Sequence, residues 1–312
     1  MANLKELLDE HVRRLRSLNY SIATIRARFY NVRSLLAWLR QTYDIADAEK
    51  LQEKHLRAWQ LKIGESRTRR GLPVCPRTVN KKIECVRAFL DDLRRVGVVR
   101  PGMVSALEYV KVPRLLPRVL PHREIRGMLT RIDTTSAEGQ RDRTMLELLY
   151  SSGLRAAELL SMDVQDIDFN GQTALVKGKG RKERIVPVGA TALRHLESYT
   201  RAVRAGLLGH SHEAALFLDR RGKRLPYHTF RRIVLRVAQS AGLAGEVTAH
   251  VFRRSCTSEL IKGNANIYHV SRMLGHESVD TLKYYVKLNI GDLRRTHHRT
   301  HPRERDERRR GA

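Results

Sequence analysis

The chain of 312 residues is poor in cysteine and contains no long apolar run. Its three cysteines, Cys75, Cys85 and Cys256, are an odd number without CxxC spacing, so neither a disulfide framework nor a cysteine-ligated metal site is expected. No apolar stretch approaches the roughly 20 residues that span a bilayer, and the first residues lack the basic-then-apolar order of a signal peptide. These absences predict a protein of the cytoplasm or nucleoid without a membrane partner.

Acidic residues are also scarce relative to basic ones. The chain has 33 Asp and Glu against 60 Lys and Arg, a formal net charge of +27, and the basic residues extend from Arg13 to Arg310. Such a surface attracts polyanions, and duplex DNA is the most densely charged common one. Charge alone leaves open an association with ribosomes or anionic membranes. A hydrophobic content of 41% predicts a folded chain, and its length is enough for two domains.

The N-terminal residues 1–98 are predicted to form a helical module. Apolar residues recur with a helical period from Leu4 onward, Ser21 can cap a second helix, and further helices are predicted over 53–63 and 78–95. Residues 99–121 then contain four prolines among basic residues. That composition is typical of an extended linker between two domains.

The pattern over residues 122–293 predicts a second domain of helices with a small sheet. Alternating apolar and polar residues predict three short strands, and Asn170-Gly171 is a strong hairpin turn between the first two. The strands are expected over 164–169, 173–177 and 184–188, and later helices over 190–205, 227–241, 250–262, 266–274 and 278–285. The fold class is therefore mainly α with a small antiparallel β-meander. An Arg/His-rich tail over 294–312 is expected to become ordered only on binding.

The second domain carries side chains suited to cleaving a phosphodiester through a tyrosine. A phenol can attack phosphorus and hold it covalently if its proton is removed and cations neutralise the phosphate oxygens. Planar guanidinium groups suit those oxygens better than lysine does, and the leaving 5′-oxygen needs a proton donor. No metal is required if arginines take its role.

Five positions in the second domain meet these demands. Arg155 lies at a predicted break between helices, with Glu158 three residues later to orient its guanidinium. His250 and Arg253 are three residues apart in a predicted helix and so share a face. Two further candidates follow or adjoin glycine: His276, after Gly275, and Lys179, in the turn between the second and third strands. Each pattern is common by itself, and only their joint occurrence in a chain of this charge carries weight.

In this combination the sequence resembles the tyrosine recombinase (phage integrase, Xer-type) family. The family's G-L-R-x-x-E-L frame is matched by residues 153–159, its G-K-G-x-K-E-R-x-V-P hairpin by residues 178–187, its H-x-x-R by His250 and Arg253, and its L-G-H by residues 274–276. The nucleophilic tyrosine of the family follows that histidine by nine positions, which selects Tyr285 over Tyr284. The N-terminal module resembles the family's SAM-like core-binding domain in pattern only.

The resemblance implies a site and a reaction. Arg155, Arg253 and His276 would hold the phosphate, Lys179 would protonate the leaving 5′-oxygen, and His250 would help move the tyrosine proton. Tyr285 would form a 3′-phosphotyrosine, with Glu158 in support and neither a metal nor another cofactor. The implied partners are double-stranded DNA with an inverted-repeat core site and a homotetramer on paired sites, with or without sister recombinases.

Several alternatives stay open at this stage. The biological role could be integration or transposition of a mobile element, which the divergent N-terminal half and the basic tail favour, or Xer-like resolution of chromosome or plasmid dimers. A type IB topoisomerase or a non-catalytic accessory DNA-binding protein would share part of the pattern. A zinc protein using His297, His298 and His301 is disfavoured because the tail lacks cysteine or acidic ligands at zinc spacing.

Overall fold

A computed structural model describes residues 2–68, 70–113, 118–178, 182–209, 211–243 and 247–275. The chain divides into two compact units, Met1–Leu115 and Leu116–Ala312. Three of the predicted site residues, Lys179, His276 and Tyr285, lie outside the described residues, as do the helix predicted over 278–285 and the tail over 294–312.

The first unit is helical. Its helices are α1 (Leu4–Ser17), α2 (Ile22–Tyr43), α3 (Glu53–Glu65), α4 (Pro76–Arg95) and the short α5 (Gly102–Ser105). Ser21 caps α2 as its sequence position predicts, with its side chain accepting a hydrogen bond from the backbone N–H of Thr24 at 3.2 Å. Helix α4 begins at Pro76 rather than Thr78, because proline is tolerated in the first turn of a helix, where its missing N–H costs nothing.

Part of the predicted linker is packed into the first unit. Val99, Met103 and Leu107 are buried in the same apolar cluster as Trp59 and Phe89. The backbone of Val110 exchanges two hydrogen bonds with the Asn80 side chain, at 2.8 and 2.9 Å. The proline density predicts an extended segment from residue 99, but the apolar residues between the prolines bury enough surface to fold residues 99–110 against the helices.

The second unit combines helices with a three-stranded sheet. Before the sheet come α6 (His122–Thr130), α7 (Ala137–Ser152) and α8 (Ala156–Ser161). Strands β1 (Ile167–Asp168), β2 (Thr173–Lys177) and β3 (Glu183–Pro187) form an antiparallel sheet of order β1-β2-β3, in which Thr173 pairs with Pro187 and Lys177 with Glu183. The predicted fold class, mainly α with a small antiparallel meander, is confirmed.

Helices follow the sheet and complete the core of the second unit. They are α9 (Ala190–Ser198), which continues through a π-helical turn into α10 (Arg204–Leu208), then α11 (Tyr227–Ser240), α12 (Ala249–Lys262) and α13 (Ile267–Leu274). Phe217, Phe230 and Phe252 are among its large buried side chains. Within the described ranges, no helix combines the length and apolar character needed to cross a bilayer.

Candidate active site

Arg155 lies at a sharp turn between α7 and α8. Gly153 ends α7 in the left-handed conformation with φ of 58°, Leu154 is fully buried, and Arg155 is the N-cap residue of α8. A Cβ at position 153 would lie 2.8 Å from Cδ2 of Leu274 and 3.4 Å from Sγ of Cys256. Glycine at this position therefore permits both the turn and the close approach of α13.

Glu158 holds Arg155 in the way the sequence predicts. Its Oε1 accepts a hydrogen bond from Nη1 of Arg155 at 2.7 Å, and its Oε2 accepts one from the Arg155 backbone N–H at 2.9 Å. The side chain of Glu158 is only 4% exposed, whereas that of Arg155 remains 39% exposed. Glu158 thus fixes the backbone N–H and the Nη1 atom of Arg155, while part of the guanidinium group stays open to a ligand.

Arg184 on β3, the arginine of the hairpin frame at residues 178–187, is a component of the site that was not among the predicted site residues. Its Nη1 and Nη2 donate to Oε1 and Oε2 of Glu158 at 2.9 and 2.8 Å, and its Nε donates to the carbonyl oxygen of Met273 at 2.8 Å. The alternation of β3 places Arg184 on the same side as the buried Val186. A strand arginine on the inward face needs a carboxylate partner, and that pattern could have revealed it.

The charge of Glu158 is held firmly by these two arginines. Burial alone would raise the pKa of Glu158, but hydrogen bonds from Arg184, and then from the backbone and side chain of Arg155, outweigh burial and keep that pKa at about 2. The carboxylate is therefore ionised throughout the neutral range.

Arg253 on α12 is buried, and it contacts both α7 and α13. Its Nη1 donates to the carbonyl oxygen of Gly153 at 2.8 Å and its Nη2 to that of Leu274 at 2.6 Å. Burial, and next the nearby charge of Arg155, lower the pKa of Arg253 to about 10, so the guanidinium is still protonated at neutral pH.

His250 lies one turn before Arg253 on α12 and is exposed. Partial burial of its ring, followed by the positive charges of neighbouring arginines with Arg254 first, lowers the pKa of His250 below its usual 6.5. The imidazole is therefore neutral at pH 7, the state that can accept a proton.

The end of α13 lies among these arginines. Gly275 ends the helix in the left-handed conformation with φ of 65°, and its carbonyl oxygen accepts from Nη2 of Arg155 at 3.2 Å. The structure therefore brings Arg155, Glu158 and Arg253 together at the end of α13. Gly275, the last described residue there, precedes His276 in the chain. Strands β2 and β3 are joined beyond their last pair by a hydrogen bond from the Gly178 N–H to the Lys182 carbonyl oxygen at 2.7 Å.

The cationic cluster is suited to a phosphate. Two guanidinium groups from separate elements converge, their orientation is fixed by a carboxylate and by carbonyl oxygens, and one of them remains accessible. Preorganised cations of this kind stabilise charge that develops on phosphate oxygens in a transition state. Among the residues that the structure describes, no cluster of three or more His, Cys, Asp or Glu could hold a metal ion. The tail histidines considered for zinc lie outside those residues.

Comparison with known proteins identifies the family. Residues 118–291 match the Phage integrase family. The chain is 34% identical over 221 residues to tyrosine recombinase XerD of Staphylococcus epidermidis, covering 71% of this chain and 75% of that protein. It is 29% identical over 301 residues to tyrosine recombinase XerC 2 of Ralstonia nicotianae, covering 96% of this chain and 86% of that protein. The chain therefore belongs to the phage integrase family of tyrosine recombinases, the class of enzymes that cleave and rejoin DNA strands.

A solved structure shows the same fold. A Tn1549 transposon integrase, determined with circular intermediate DNA, superimposes with a TM-score of 0.73 at 17% identity, covering 96% of this chain and 99% of that one. Membership of the family sets aside the topoisomerase alternative.

Glu158 is expected to make stability depend on pH in the acid range. Its pKa is about 2 in the folded protein against an ordinary 4.5, so the stabilisation is complete above pH 4.5 and is lost as the pH falls toward 2. The shift corresponds to about 3 kcal/mol of unfolding free energy. Relative to wild type, Glu158→Gln should therefore destabilise the second unit most at pH 6–7. This destabilisation should become progressively smaller below pH 4.5.

Urea denaturation at several pH values measures this difference. Far-UV circular dichroism follows the whole chain, whereas fluorescence of Trp38 and Trp59, the two tryptophans of the sequence, reports on the first unit alone. Glu259→Gln is the control, because Glu259 makes a more exposed helical ion pair with Lys262, of a kind typically contributing less than about 1 kcal/mol. A Glu158→Gln effect that does not change between pH 7 and pH 3 would contradict the assignment.

Proposed function

We propose that this protein is a site-specific recombinase that acts on double-stranded DNA through a 3′-phosphotyrosine formed on Tyr285. The observation that carries the proposal is the convergence of Arg155 and Arg253, from the α7–α8 turn and from α12, on the end of α13 just before His276. In the proposed reaction the two guanidinium groups bind the non-bridging oxygens of one phosphate.

Each remaining residue has a role in the proposed reaction. The Tyr285 oxygen attacks phosphorus, the bond to the 5′-oxygen breaks, and Lys179 gives that oxygen a proton. His250, neutral at pH 7, takes up the phenol proton, and His276 binds the phosphate together with the arginines. The 5′-hydroxyl of the partner strand then attacks the phosphotyrosine and releases the enzyme. The ester retains the energy of the broken bond, so neither ATP nor a metal ion is needed.

The proposed assembly is a homotetramer on two paired sites, each an inverted repeat, with or without sister recombinases. The net charge of +27 supports DNA as the partner, since phosphate contacts supply most of the sequence-independent affinity. The proposed location is the cytoplasm.

For the biological role we propose integration or transposition of a mobile element, with dimer resolution or a non-catalytic accessory role as the alternatives. The likeness to a transposon integrase supports the first, and the Xer relatives support dimer resolution. Sequencing the DNA that becomes covalently attached to the protein in cells separates these roles. Element ends indicate integration, a single palindromic chromosomal site indicates dimer resolution, and no attached DNA indicates an accessory protein.

The reaction itself is tested with a suicide duplex, nicked so that the released 5′-hydroxyl fragment diffuses away and religation fails. The protein is incubated with this duplex in EDTA and without ATP, then run on a denaturing gel. A covalent protein–DNA band is expected. Tight binding of the duplex with no such band would favour the accessory role.

A further inference from the structure

The carboxyl end of α13 is bound by three arginine side chains. The last carbonyl groups of a helix have no partner within the helix and carry its partial negative charge. At the end of α13 three successive carbonyl oxygens each accept a hydrogen bond from a different arginine. Arg184 binds Met273 at 2.8 Å, Arg253 binds Leu274 at 2.6 Å and Arg155 binds Gly275 at 3.2 Å.

Arg184 differs from Arg155 in what it has left to offer a ligand. Both of its terminal nitrogens are engaged by the carboxylate of Glu158, its Nε is engaged by Met273, and its side chain is only 15% exposed. Arg155, by contrast, is 39% exposed. Arg184 is therefore placed to hold other groups rather than to bind a phosphate.

We propose that Arg184 is a positioning residue of the recombination reaction, which joins Glu158 to the end of α13 and so fixes Arg155 and Gly275 relative to each other. The inference rests on the proposed function, because it names a residue that acts through the same site. Arg184 shares Oε1 of Glu158 with Arg155, so one carboxylate transmits its position to the phosphate-binding guanidinium.

The glycine before His276 supports this arrangement. A Cβ at position 275 would lie 3.0–3.1 Å from Nη1, Cζ and Nε of Arg184, and the backbone there has φ of 65°. The backbone at Gly275 thus lies against the Arg184 guanidinium, and a side chain there would require Arg184 to shift as well as an unfavourable backbone conformation. Lysine at position 184 could bind one acceptor, but it could not bind both carboxylate oxygens of Glu158 and the carbonyl oxygen of Met273 together, because an ammonium group is a single point charge.

The first test measures single-turnover cleavage of a suicide duplex at saturating DNA. Arg184→Gln is expected to cleave about 10–100-fold more slowly than wild type, the range typical of losing a group that orients a functional residue. Arg184→Lys should fall between the two. The concentration of DNA that gives half-saturation, and the final fraction of protein converted to covalent complex, should stay unchanged. A variant that was merely misfolded would lose the final fraction instead.

Arg224→Gln is the matched control. Arg224 lies in the same unit, pairs with Asp163 at 2.5 Å and donates to the carbonyl oxygens of Leu160 and Met162 at the end of α8, at 3.0 and 3.1 Å. It therefore makes the same kinds of bonds away from the site. Its loss should lower stability and leave the cleavage rate within about 2-fold of wild type, consistent with the rule that distant sites act independently.

A double-variant cycle separates positioning from general damage. If Arg184 acts through Glu158, adding Arg184→Gln to Glu158→Gln should slow cleavage by much less than it does in the wild type. Equal slowing of Arg184→Gln and Arg224→Gln, or full additivity with Glu158→Gln, would overturn the proposal.

Hydrogen exchange provides a readout that does not depend on catalysis. The amides of residues 271–275 should exchange faster in Arg184→Gln than in wild type and be unaffected in Arg224→Gln, because only Arg184 contacts the end of α13 in this pair. If wild type forms no covalent complex, the recombinase proposal fails, and exchange then decides the role of Arg184. Equal protection in Arg184→Gln and wild type would refute that role.

Discussion

Replacing Tyr285 with phenylalanine is expected to remove the covalent protein–DNA complex altogether. Phenylalanine lacks the oxygen that would bond to phosphorus, and the proposed reaction contains no other covalent bond between protein and DNA. We expect the rate of covalent complex formation to fall by at least about 10³-fold, as when a covalent nucleophile is deleted from other enzymes. The suicide duplex in EDTA measures this on a denaturing gel, and gel-shift titration should show binding of the same duplex at wild-type affinity.

Tyr284→Phe is the matched control, since it makes the same change one position earlier in the chain. This variant should retain the covalent band, because the spacing from His276 selects residue 285. A band that persists in Tyr285→Phe and disappears in Tyr284→Phe would assign the nucleophile to Tyr284. A band that survives in both variants would exclude this pair of tyrosines.

Arg155→Gln is expected to give the second large effect, a fall in cleavage rate of about 10²–10³-fold, equivalent to about 2.7–4 kcal/mol of transition-state stabilisation. Glutamine keeps hydrogen-bonding capacity but not the charge that neutralises the phosphate. The variant should fold, since Glu158 keeps its two bonds to Arg184 when Arg155 is replaced. Arg155→Lys should recover little of the rate, because lysine cannot present two parallel donors. Single-turnover cleavage at saturating DNA measures both variants.

Arg220→Gln is the corresponding control in the same unit. Arg220 forms an ion pair with Glu138 and its side chain is 81% exposed, so its loss removes an Arg–Glu pair without touching the site. We expect its cleavage rate to match wild type. If Arg155→Gln cleaves as fast as Arg220→Gln, Arg155 does not contact the reacting phosphate, and the proposed roles of the cationic cluster are wrong.

Local patterns in the sequence predict much of the fold, with limits that have physical causes. Strands β2 and β3 are found because alternation of polar and apolar residues reflects directly which side chains face the core. The first strand, predicted over 164–169, is confined to Ile167–Asp168, because Val164–Asp166 form a 3-10 turn closed by the Asp166 side chain. The start of the predicted linker is misplaced because its prolines give a strong local signal. Burial of Val99 and Leu107 depends instead on helices distant in sequence.

The candidate site also contains residues that local motifs predict and one residue whose role depends on long-range contacts. Arg155, Glu158, His250 and Arg253 are identified from motifs, because residues three apart on a helix share a face whatever surrounds them. Lys179, His276 and Tyr285 are likewise predictions from motif and spacing. Arg184 is missed because its importance depends on partners from other elements.

Short spacings along the chain express the family, the helical and strand periodicities and the candidate residues, so all of these follow from the order of the amino acids alone. How the residues combine depends on the tertiary structure. The bonds from Arg184, Arg253 and Arg155 to the end of α13 join residues 89, 21 and 120 positions apart. Contacts over such separations arise from the packing of β3, α12 and the α7–α8 turn around α13, and no local pattern encodes that packing.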